Sequence, residues 1–137
     1  HTRSAHVSWG SEMCIRDRKD IDYNSQVVIK NIEDIEVEKY GSQMEINEKF
    51  PNKTNVEFIE IVNKRYIKMR VWERGAGETL ACGTGACASV VAGIVNNLLD
   101  EKVTVELLGG KLEIEWDKHN KHVYMTGPAV TVFEGRL

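Results

Sequence analysis

Residues 73–88 read Glu73-Arg74-Gly75-Ala76-Gly77-Glu78-Thr79-Leu80-Ala81-Cys82-Gly83-Thr84-Gly85-Ala86-Cys87-Ala88. They join an alternating run, 67–72, to an almost wholly apolar run, 86–99. Four glycines (Gly75, Gly77, Gly83 and Gly85) sit at the join, and glycine both accepts positive φ and lets a ligand approach the backbone closely. Cys82 lies among them, just before a predicted helix. The unpaired N–H groups of a helix start carry partial positive charge, which favours a thiolate. Strand, glycine loop with cysteine, then buried helix: this order builds a small anion-binding site that bears a thiolate.

The predicted helix covers 85–99, with Thr84 as its N-cap, its hydroxyl placed to accept the N–H of Cys87. Residues on every side of it are small or apolar, so it is expected to be buried, with strands around it. Asp100 and Glu101 are expected to close it. Downstream, alternation predicts strands over 102–108, 111–116, 122–126 and 130–133, with Gly109-Gly110 as a two-residue hairpin turn and 118–121 as a polar loop. Upstream, 66–73 is a strand with Ile67, Met69 and Val71 on one face and Lys68 and Arg70 on the other. It forms a hairpin with 56–62 across a turn at Asn63-Lys64. Residues 31–40 suit a short surface helix ended by Gly41. The segment 43–50 is ambiguous, Pro51-Asn52 marks a turn, and 25–30 is a short strand. The fold class expected is α+β: a curved, mostly antiparallel or mixed sheet of six or seven strands wrapped around one central buried helix.

The chain has 137 residues and a net charge of −3. That length allows one domain with a moderate core, and the charge argues against nucleic acid or an anionic membrane as partner. No apolar run reaches the length of a membrane span. Three cysteines, Cys14, Cys82 and Cys87, are odd in number and poorly spaced for a disulfide framework, so a reducing cytoplasm is expected. Residues 1–18 follow neither a strand nor a helix period and read as a foreign or disordered leader, leaving 19–137 as the domain.

The run from Val71 to Cys87 closely resembles the second active-site motif of the diaminopimelate epimerase family. Thr54-Asn55-Val56-Glu57-Phe58 upstream and Val123-Tyr124-Met125-Thr126-Gly127-Pro128-Ala129 downstream match as well. The resemblance covers roughly 25–137. It implies one half of a two-domain protein, here the C-terminal domain, with the active site in the cleft facing an N-terminal domain that would be its partner. It also allows a homodimer. The family carries an Asn-Pro-His segment near the start of this domain. Counting back from Gly41, the histidine's place falls at Asn24, in Asp22-Tyr23-Asn24, which reads as disruption of the upstream sequence rather than an evolved substitution.

The resemblance implies an isomerase that inverts the Cα of diaminopimelate in lysine and peptidoglycan-precursor biosynthesis, with neither pyridoxal phosphate nor metal. One cysteine takes the α-proton as thiolate and a second, as thiol, protonates the opposite face. A free thiol has a pKa of about 8.5, so its surroundings must favour the charged form. Cys82 is the implied catalytic thiol here. Glu73 is implied to orient groups around the transition state and, with Arg74, to contact substrate. Asn55, Gly83 and Thr84 are implied substrate contacts, the last two to the α-carboxylate at the helix start. With the other cysteine domain absent, the fragment alone is expected to be inactive.

Each residue has a plainer reading. Cys82 and Cys87 could be core packing, which is the expectation for Cys87. Glu73 could pair with Arg70 or Lys68 at the surface, and Asn55 could be a turn residue. A zinc site of Cys82, Cys87, His119 and His122 has the wrong spacing. A phosphate loop is rejected because no lysine follows the glycines at the required place. Two rival functions stand beside the epimerase: a related-fold amino-acid racemase or isomerase of the proline racemase kind, and a non-catalytic anion-binding module.

Overall fold

The computed structural model describes residues 31–131 and 133–136. The strand expected over 25–30, the position of Asn24, Cys14 and the leader 1–18 lie outside them. The class is α+β. Among the described residues six strands form one open mixed sheet: β1 (Val56–Asn63), β2 (Tyr66–Glu73), β3 (Gly77–Thr79), β4 (Lys102–Leu107), β5 (Gly110–Asp117) and β6 (His122–Thr126). Two helices accompany it, α1 (Val37–Glu45) and α2 (Gly83–Val95), with a 3-10 turn at Ile32–Asp34.

The strand order is β1-β2-β4-β5-β6. All pairings are antiparallel except β2 with β4. β2 is shared along its length. Its first half pairs parallel with β4 through Ile67 and Val105, and its second half pairs antiparallel with β3 through Val71 and Thr79. Alternation on β2 and β4 buries Ile67, Met69, Val71, Val103, Val105 and Leu107 against Ala86, Val90 and Ile94 of α2. α2 touches strands from β1 at one edge to β6 at the other, so the helix is the centre about which the sheet is laid.

Several local expectations are corrected. Gly41 does not end a helix: α1 runs from Val37 through it to Glu45. The glycine is needed for space, since a Cβ there would stand 2.5 Å from Cβ and Cγ of Trp72. α1 therefore lies tight on the sheet face opposite α2. The turn between β1 and β2 falls at Lys64-Arg65, and that between β4 and β5 at Leu108-Gly109, each one residue from its expected place. Gly110 instead opens β5 opposite Leu107.

α2 starts earlier and stops earlier than 85–99. Its end is made by Asn97, which takes positive φ (58°). The Leu98 N–H then reaches the Gly93 carbonyl at 2.8 Å and the Asn97 N–H that of Ile94 at 3.0 Å, the paired bonds of a Schellman cap with asparagine in the usual glycine place. Asp100 and Glu101 lie beyond this cap. No strand forms at 130, 131 or 133. Val130 and Phe133 are 79% and 82% exposed, and an isolated extended segment with nothing to pair with gains neither ladder bonds nor burial.

Candidate active site

The glycine stretch divides into two devices. Gly75 and Gly77 take positive φ (75° and 84°) and close a tight turn from Glu73 to the short β3, with Glu73 paired to Gly77. Leu80 and Ala81 follow, and then the helix begins. Cys82, not Thr84, is its N-cap: its backbone is extended and its Sγ accepts the Gly85 N–H at 3.4 Å. Thr84 falls inside the first turn, exposed, with its hydroxyl 3.5 Å from the same sulfur. The expectation of a Thr84 cap fails because the thiol occupies the capping position. Cys82 sits at the helix start as expected, where amide dipoles converge on the sulfur. It is also largely covered, at 7% exposure, and packs with the core.

Cys87 lies one turn on, half-buried against that core. Burial pushes its thiol up, and nearby Cys82 adds to the effect, as suits a packing role. Gly83 opens the helix below Met125, whose Sδ would be 3.0 Å from a Cβ at that position.

Glu73, Arg74 and Asn55 come together at the end of β2. Oδ1 of Asn55 accepts the Arg74 N–H at 2.8 Å, so Asn55, just before β1, braces the turn. The Arg74 guanidinium donates to the Asn52 carbonyl at 2.9 Å. Glu73 accepts the Thr79 hydroxyl. The surface ion pair weighed for Glu73 is not made, since Arg70 pairs with Glu78 and Lys68 with Glu33. Among the described residues, no three His, Cys, Asp or Glu side chains converge as a metal site would require.

Two acidic residues of this region escaped the sequence reading. Glu45, 6% exposed, accepts the Trp72 indole N–H at 2.7 Å and the Gly75 N–H at 3.2 Å, and it meets Lys53 at 3.5 Å. The indole bond above all holds its carboxyl below the usual range. This contribution to stability is present at neutral pH and is lost as pH falls. Glu45→Ala strands two donors. It is expected to lower the urea midpoint and change the Trp72 fluorescence, and unchanged values in both would contradict the bracing role. No signal marks Glu45 in the sequence, because its partners lie 27 and 30 residues away.

Glu57 is the second. In the antiparallel register Glu57, Ile59 and Ile61 stand opposite Val71, Met69 and Ile67, so Glu57 faces α2. Burial, opposed by its own backbone N–H and reinforced by Glu73, pushes its carboxyl up to about 7. A charged residue at an inward position of an alternating strand is a signal that the sequence does carry.

Fold and site define a class of domain in which a sheet surrounds a helix whose first turn presents a thiol, with carboxyl groups from the adjoining strands beside it. The family model for diaminopimelate epimerase matches residues 23–132, and the chain belongs to that family. It is 60% identical over 109 residues to the diaminopimelate epimerase of Methanococcus maripaludis strain S2, covering 80% of this chain and 39% of that protein. It is 57% identical over 109 residues to that of Acetivibrio thermocellus, with the same coverage. Against that of Trichodesmium erythraeum the identity is 50% over 129 residues, 94% of this chain and 42% of the relative. The chain thus spans about two fifths of the length of these relatives. Among solved structures, a phenazine biosynthesis protein of the PhzF family from Bacillus anthracis overlaps 61% of this chain and 31% of its own, with TM-score 0.41 and 21% identity.

Proposed function

We propose that this chain is the Cys82-bearing part of a diaminopimelate epimerase, inverting one Cα by proton transfer between two cysteines without pyridoxal phosphate or metal. The observation that carries the reading is the sulfur of Cys82 at the N-cap of α2, accepting the Gly85 N–H at 3.4 Å. A thiolate there is met by an amide donor and the positive end of the helix dipole. The free N–H groups of the same turn, at Gly83 and Thr84, are a ready seat for the substrate's α-carboxylate. Holding that carboxylate offsets the charge that builds on Cα as the proton leaves. Glu73, with Asn55 and Arg74 on the turn beside it, is then the polar wall against the substrate.

Inversion requires a second acid–base group on the opposite face of Cα. Cys87 is a poor candidate, because its thiol is pushed up and lies within the helix. The second group is therefore assigned to a partner domain of the same enzyme. Leu80, two residues before Cys82, and Met125, against Gly83, are large apolar side chains left exposed, which supports a further protein surface closing over this side. The function requires reduced cysteines and so fits the cytoplasm.

Exposure alone predicts that half-buried Cys87 is alkylated faster than nearly covered Cys82. If Cys82 is the base, the order reverses: peptide mapping after iodoacetamide treatment at neutral pH is expected to find Cys82 modified several-fold faster. Equal or slower reaction at Cys82 would leave only an anion-binding module. The companion test mixes the chain with a separately expressed N-terminal domain and follows exchange of the α-proton into deuterated water. Exchange is expected from the mixture and not from the chain alone, and exchange by the chain alone would refute the two-base mechanism.

A further inference from the structure

Among the described residues, Oε1 of Glu57 is the sole buried side-chain oxygen or nitrogen without a hydrogen-bond partner. A buried carboxylate oxygen with no donor is costly, whereas the neutral acid is far less so. Its surroundings are built to receive it. A Cβ on Gly85 would stand 2.7 Å from this oxygen and 3.2 Å from the sulfur of Cys82. Both atoms therefore border the space that a side chain at position 85 would fill. The two distances cap their separation at about 6 Å. Here the glycine makes room for an acid beside a thiol.

The titratable groups beside Glu57 are acids: Glu73 on β2 and Cys82 on α2. The cations of β2, Lys68 and Arg70, project to the other face and are paired with Glu33 and Glu78. The Arg74 guanidinium is engaged by the Asn52 carbonyl. Like charges at such separations oppose one another's ionisation.

We propose that Glu57 is a positioning residue for Cys82: as a neutral acid it fills the space beside the sulfur and leaves the local negative charge to the thiolate, and on ionising it suppresses that thiolate. The inference rests on the reading of Cys82 as a base. It adds a residue whose ionisation holds back the growth of that thiolate as pH rises. Burial pushes the Glu57 carboxyl up to about 7, so its ionisation falls near neutrality.

The test is the rate of Cys82 alkylation by iodoacetamide, resolved by peptide mapping, across about pH 5.5 to 9 in the unmodified chain, Glu57→Gln and Glu57→Asp. Glutamine mimics the neutral acid and cannot ionise. At about pH 8, Glu57→Gln is expected to react at Cys82 about tenfold faster than the unmodified chain and to rise in one smooth step. The unmodified chain and Glu57→Asp are expected to lag above neutrality. Superimposable profiles for the glutamine variant and the unmodified chain, with Cys82 still faster than Cys87, would overturn this inference and leave the thiolate role standing. A Cys82 no faster than Cys87 in every variant would remove both. Infrared titration of the unmodified chain is independent of how the variants fold: a buried protonated-carboxyl band is expected at about pH 6 and lost by about pH 8, and its absence at about pH 6 overturns the inference.

Discussion

Gly41→Val is expected to cost about 3 kcal/mol of folding stability, at the upper end of what overpacking does. The reason is where the collision falls. A side chain at 41 would meet Trp72 at 2.5 Å from both Cβ and Cγ, the root of that side chain, which cannot swing aside. α1 would have to lift from the sheet. Lifting it also pulls Glu45 from the Trp72 indole and the Gly75 N–H, so the turn that carries Glu73 and Arg74 loses its brace. Helix propensity works the other way by a few tenths of a kcal/mol for valine and about 1 kcal/mol for alanine. Gly41→Ala should therefore fall between, its clash partly offset. Urea unfolding followed by tryptophan fluorescence measures both. A valine variant within about 0.5 kcal/mol of the unmodified chain would show that α1 is not held where it lies.

The second large effect is a loss of stability as pH rises from about 4.5 to about 7. The Glu57 carboxyl, ordinarily at 4.5, is pushed up to about 7 in the folded chain. Below 4.5 both folded and unfolded chains hold this proton, and its contribution is fully present. Between 4.5 and 7 the unfolded chain has released the proton while the folded chain keeps it, so stability declines with each step in pH and levels off above 7. The shift corresponds to at most about 3 kcal/mol. Glu57→Gln removes the titration, and the difference between the two chains isolates it from other groups. Urea midpoints at about pH 4.5 and 7.5 are expected to fall in the unmodified chain relative to the glutamine variant. Parallel pH dependence in the two would mean that Glu57 ionises as an ordinary surface carboxyl and has no special place beside Cys82.

The strands were legible wherever alternation met a buried face. Alternation predicts β2 over 66–73, and it occupies Tyr66–Glu73 with Ile67, Met69 and Val71 inward. Alternation likewise predicts β6 over 122–126, and it lies at His122–Thr126. The burial of α2 was legible because its residues are apolar on every side. The turns shifted by a residue, since the register of the flanking strands, set by their pairing, decides where the chain reverses. Residues 130, 131 and 133 follow an alternating pattern but pair with no strand among the described residues, and pairing is not written in one strand.

Sequence by itself determined the family, the α+β class, the inward faces of the main strands and the nearness of Cys82 to the start of a buried helix. Each of these is carried by residues close together along the chain, where periodicity and motif are local properties. Only the tertiary structure decided that Cys82 rather than Thr84 caps that helix, that Gly41 and Gly85 serve close approach rather than turning, and that Glu45 and Glu57 lie against the site. Those facts depend on distances between segments far apart in sequence, and packing alone sets such distances.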